Sequence, residues 1–180
     1  MPIKPFLPFP LLLAALAACT PSLNWREVRP EGTTDLVLMF PCKPEQETRP
    51  LVAPDAPATA RMGLARCETA GLGFSLSWAD VPDPSQLGPS LQQMRAAVVD
   101  GLKLPAGEPQ ALQLAGMMPS PHALTQALGA PDGKGPQARL AVFARGLRVY
   151  QLMMLGPRAD AAAWEGFLGS LRLGETALPG

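Results

Sequence analysis

The chain has 180 residues, with 15 Lys and Arg balanced by 15 Asp and Glu, so its formal net charge is zero. No run of basic residues breaks that balance, which removes the electrostatic hold on a phosphate backbone and excludes nucleic acid as an expected partner. The 22 prolines and 17 glycines cut the chain into short elements without an internal repeat, and the length suits one core rather than two.

The chain opens with a cation at Lys4, an apolar run from Phe6 to Ala18 and small residues before Cys19, the three parts of an export signal. The run is shorter than the roughly 20 residues a membrane-spanning helix needs, and Pro8 and Pro10 interrupt it. Leu16-Ala17-Ala18-Cys19 resembles the bacterial lipobox, in which the cysteine thiol is acylated and the chain is cut before it. That resemblance implies a signal peptide over residues 1–18, a lipidated N-terminus and short tether over 19–23, and a membrane held through lipid at Cys19. Thr20, where inner-membrane lipoproteins carry aspartate, implies the outer membrane, facing the periplasm. The alternative is an ordinary signal peptide with an incidental cysteine. Cutting before Cys19 removes Lys4 and leaves a mature chain of formal charge minus one. Acyl chains contribute about 0.8 kcal/mol per buried methylene, and the tether reaches about 14 Å when extended, so the domain is expected near the membrane surface.

With Cys19 acylated, Cys42 and Cys67 remain, in an oxidising compartment. They are expected to form a disulfide, worth about 3.5 kcal/mol in the chain-entropy model; the alternative is a pair of buried thiols. Strands over 36–40 and 59–67 joined as a direct hairpin would place Cys42 opposite residue 57, about 30 Å from Cys67. The disulfide and that hairpin exclude each other.

Along the mature chain, Asn24 to Arg29 reads as a short strand and Asp35 to Phe40 as a buried one, stopped by Pro41. Residues 43–57 hold four prolines and read as an irregular connection, with Lys43, Glu45, Glu47 and Arg49 on a solvated face. Strands follow over Thr59 to Glu68 and Leu72 to Ala79, the second alternating Leu72, Phe74, Leu76 and Trp78 with small or polar residues. After Pro84, Leu87, Leu91, Met94, Val98 and Leu102 recur with helical spacing, and Pro89 fits the first turn. Glu108 to Ala115 and Pro121 to Leu128 read as strands, and 130–136 as a glycine-rich turn. Gln137 to Ala144 and Leu147 to Leu155 form a hairpin around Arg145-Gly146, apolar enough to be central. Asp160 caps a final helix carrying Trp164, Phe167, Leu168 and Leu171, and residues 175–180 are a tail.

Strands, one helix, four more strands and a closing helix specify an α+β fold: an antiparallel β-sheet flanked by helices, in one domain over 24–174. Leu38-Met39-Phe40-Pro41-Cys42-Lys43-Pro44, the strand ending Phe74 to Asp80, Leu147 to Leu152, and Phe167 to Leu173 resemble the Mog1/PsbP-like α/β/α sandwich. Members of that fold are chiefly protein-binding or accessory factors, so the resemblance implies an unidentified envelope protein as partner and carries no catalytic residue across.

Chemistry is sparse. His122 is the single histidine, which rules out a multi-histidine metal site, and no Gly-x-Ser-x-Gly elbow supports a triad around it. Gly129 to Gly135 lacks the Gly-Lys-Ser/Thr ending of a phosphate loop, leaving Lys134 as a turn residue. Asp80 and Asp83, near a strand end, read as helix caps with pairing to a partner as the alternative, and Tyr150, the only tyrosine, as a packed strand residue with a hydrogen-bonded hydroxyl. No catalytic residue, metal or cofactor is assigned. A binding or accessory module is the expected function; an envelope enzyme or a small apolar-ligand carrier is the alternative, the first requiring His122 near a carboxylate and the second a cavity between sheet and helix.

Overall fold

A computed structural model describes residues 23–52 and 58–174 of the chain; the expected signal peptide, Cys19 and the tail 175–180 lie outside the described residues. Among the described residues, ten strands and two helices form a mixed α+β structure. In chain order the strands are β1 Arg26–Val28, β2 Leu36–Phe40, β3 Glu45–Pro50, β4 Arg61–Thr69, β5 Leu72–Asp80, β6 Gln110–Ala111, β7 Leu124–Gly129, β8 Gln137–Arg145, β9 Arg148–Gly156 and β10 Arg172–Leu173. Helix α1 spans Leu87–Leu102 after a 3₁₀ turn at Pro84–Gln86, and α2 spans Ala161–Gly169. No helix among the described residues is long and apolar enough to cross a membrane.

Seven strands make an antiparallel sheet in the order β3-β4-β5-β9-β8-β7-β6, and β1-β2-β10 make a small one. Period-two alternation sends Phe74, Leu76 and Trp78 of β5 and Tyr150, Leu152 and Met154 of β9 to one face, where α2 and the small sheet cover them. Phe167 of α2 is fully buried there, edge-on to Phe40 at 5.2 Å and to Phe74 at 5.3 Å. On the opposite face Leu140, Val142 and Ala144 of β8 and Val149 of β9 pack against Leu87 and Leu91 of α1, with Met94 and Val98 filling the margin. Strand β8 is therefore apolar on both sides, as its sequence requires.

The segment expected to be an irregular connection contains β3, paired with β4 from Glu45↔Arg66 to Pro50↔Arg61. Five of its six residues are exposed and only Thr48 is half-buried, so the strand carries no hydrophobic alternation to mark it. Charges and a terminal proline are features that keep an edge strand from pairing further. This strand removes the conflict over the cysteines. β4 pairs with β3 rather than with β2, and the Glu45↔Arg66 register brings Cys42 beside Cys67 at the strand ends. They form a disulfide with Cα atoms 6.0 Å apart.

Three boundaries also differ from expectation. Only Gln110–Ala111 of the expected strand 108–115 pairs, because the run toward Met117-Met118-Pro119 turns away from β7. The strand expected from Pro121 begins at Leu124, after a turn closed by Ala123 N–H donating to Ser120 C=O. Leu171 lies beyond the end of α2, in the approach to β10, which pairs with the start of β2.

Candidate functional site

Helix α1 lies over β8 and β9, and among the described residues no helix covers the β3–β4–β5 half of the same sheet face. The side chains on that open half are Met62 and Leu64 of β4, Ser75 and Ser77 of β5, and Gln151 and Met153 of β9, all half-buried. Small polar residues on β5 keep its centre low between the flanking strands. Toward the disulfide end the face sinks into an open groove of about 560 Å³, lined by Cys42 and Cys67, Lys43, Arg66, Ser75 and Met153 among others. Arg66 pairs with Glu45 at 3.2 Å, but both are largely exposed and the pair contributes little to stability. The groove thus combines apolar side chains such as Phe74, Met153 and Leu155 with charges of both signs at Lys43, Glu45, Arg66 and Glu68.

The densest group of charged side chains stands at the other end of the strands. Arg145 Nε donates to Asp35 Oδ2 at 2.8 Å, Nη1 donates to the Gly116 carbonyl at 2.5 Å, and Nη2 donates to the Gly174 carbonyl. The Tyr150 hydroxyl donates to Asp35 Oδ1 at 3.2 Å. Burial, and then the Asp35 carboxylate, hold the phenol well above the ordinary tyrosine range. Beside it, Arg148 Nε donates to Asp80 Oδ1 at 2.7 Å and Nη1 donates to the Gly32 carbonyl at 2.7 Å, with the guanidinium 4.0 Å above the Trp78 ring. The Arg61 N–H donates to Asp80 Oδ2 at 2.9 Å. Every one of these bonds links the large sheet to the loops around the small sheet or to its own strands. The cluster is a clamp, with its donors and acceptors spent on each other.

Asp80 therefore pairs with arginine and does not cap a helix. Asp83 does cap, accepting from Ser85 N–H at 2.8 Å, and the Ser85 hydroxyl and N–H lower its pKa. His122 sits half-buried with its ring against Gly88 in the first turn of α1, and none of the ion pairs among the described residues involves it. Among the described residues no ion pair joins a carboxylate to His122. Lys134 pairs with Asp132 at 3.5 Å in an exposed turn. The layers between sheet and helices are packed with the side chains already named. Cys42 and Cys67 border the groove, while Cys19 lies outside the described residues.

The open half-face has a trace in the sequence. Gly73, Ser75 and Ser77 alternate with the core residues of β5 and offer little apolar surface for a covering element to bury. No protein-family model matches the chain, and no curated protein matches it significantly.

Proposed function

We propose that the chain is an outer-membrane lipoprotein, held by acyl groups on Cys19, whose periplasmic domain is a Mog1/PsbP-like sandwich that binds an envelope protein. The observation that carries this reading is the sheet face beside α1 that no helix among the described residues covers, an open surface of mixed apolar and polar side chains that sinks into the groove at the disulfide. The lipobox and a disulfide suited to an oxidising compartment support the address. The account is tested by placing charge on the open face. Ser75→Arg and Met153→Arg should leave a folded, membrane-associated protein that loses its cellular phenotype, whereas His122→Ala should retain it. Loss of function at His122 with no effect at Ser75 and Met153 would overturn binding in favour of an enzyme.

A further inference from the structure

We infer that the domain stands on the lipid surface end-on, with the β4–β5 turn, the 130–136 turn and the 157–159 loop against the headgroups. This orientation rests on the lipid-anchor reading and adds to it a defined contact surface. The chain enters the fold at one end only. Asn24 N–H donates to the Pro41 carbonyl, and Leu23 borders a cleft of about 310 Å³ with Ala70, Leu72, Pro157 and Arg158. That end gathers the tips of three connections. Register pairs Thr69 with Leu72, Gly129 with Gln137 and Gln137 with Gly156, so the turns between them project together.

Four peptide units separate Cys19 from Leu23, a reach of about 14 Å when fully extended. A strand such as β9, with nine residues, is about 30 Å long at about 3.3 Å per residue. The tether is therefore too short to let the far end of the sheet reach the bilayer unless the domain lies flat. The near end suits a bilayer surface: Ala70, Gly71, Pro131, Pro136, Pro157 and Ala159 are small or rigid and all exposed. Its charges alternate in sign, as in Asp132 beside Lys134 and Arg66 beside Glu45, so neither repulsion nor attraction by anionic lipid dominates. The orientation is set by the tether and should not change with salt.

Two consequences follow for access. The exposed apolar residues Val52, Met118 and Leu147 all stand at the opposite end, about 30 Å from the headgroups, pointing into the periplasm. The groove beside Cys42 and Cys67 opens sideways in the membrane-proximal half, so the partner it takes is met close to the bilayer.

The test uses the full acylated protein in vesicles of phosphatidylethanolamine and phosphatidylglycerol, with a nitroxide on a single cysteine introduced by Pro131→Cys, Ala159→Cys or Leu147→Cys. Intact mass first verifies that Cys42 and Cys67 stay paired. On vesicle binding, the labels at 131 and 159 should lose collisions with an aqueous nickel chelate and the label at 147 should keep them, at low and high salt alike. Equal exposure at all three sites in vesicle-bound protein, or shielding at 147 alone, would overturn the orientation while leaving the anchor intact. Full-chain protein purified from cells that carries no acyl group on Cys19 by intact mass would overturn the anchor and the orientation together.

Discussion

Removing the Cys42–Cys67 crosslink should destabilise the domain by about 3.5 kcal/mol while leaving its fold in place. The bond closes a loop with a sequence separation of 25, and the chain-entropy relation applied to that length gives a cost of about 3.5 kcal/mol at 25 °C. For a domain of this size each kcal/mol shifts the midpoint by about 2–4 °C, so the double variant Cys42→Ala, Cys67→Ala should melt roughly 10 °C lower. Alanine is preferred to serine because Cys42 is half-buried and alanine adds no polar group there. Urea unfolding followed by circular dichroism is the assay, and the slope m should rise, since an uncrosslinked unfolded chain exposes more surface. The loss should also be local. Strand β3 buries almost nothing and is otherwise held by its ladder to β4, by Gln46 Oε1 accepting from Glu31 N–H at 2.9 Å and by Thr48. Its amides should therefore exchange faster in the variant than those of β8 or β9. A variant within about 1 kcal/mol of the parent with unchanged m would refute the entropic account of this bond.

Phe167→Ala should cost about 4 kcal/mol, because the ring is fully buried between Phe40, Phe74 and Trp164; a loss below about 1 kcal/mol in denaturant titration would mean that the core between α2 and the sheet is not packed as described. Tyr150 is the only tyrosine, so phenolate absorbance reports on it alone. Folded protein should hold its phenol protonated through pH about 10, where an unfolded chain begins to ionise. The stability this provides is intact below that pH and is lost as pH rises toward the folded value. Absorbance should consequently appear only with alkaline unfolding, and a reversible titration near pH 10 in folded protein would contradict the burial and the Asp35 contact. Gly63→Ala should cost about 1–3 kcal/mol, since an added Cβ would lie 2.6 Å from the Trp78 indole held under Arg148. Unchanged tryptophan emission and melting in that variant would show that Trp78 does not lie across Gly63.

Strands β2, β5, β8 and β9 and both helices were legible because each buries a periodic apolar face: Leu36, Leu38 and Phe40 alternate in β2, and Leu87 and Leu91 lead the stripe of α1. Strand β3 was not, since Glu45-Gln46-Glu47-Thr48-Arg49-Pro50 is wet on both faces and periodicity has nothing to register there. Strands β6 and β10 have two residues each, held by partners far away in sequence. The disulfide followed from cysteine number and the expected compartment, yet its compatibility with the strands needed β3. The clamp could not be read, because Asp35 meets Arg145 across 110 residues and Arg148 meets Asp80 across 68. The open half-face depends on three strands and on where α1 stops covering them, information carried by no single stretch of chain.

Site-specific photocrosslinking in intact cells tests the central claim most directly. With a photoreactive residue at Ser75, on the open half of the sheet, the folded and membrane-attached protein should yield a discrete adduct with one envelope protein. The same group at Gln93, on the exposed side of α1, should yield none. Adduct at Gln93 but not at Ser75, or no adduct at either position in protein that retains its cellular function, would contradict binding through this face.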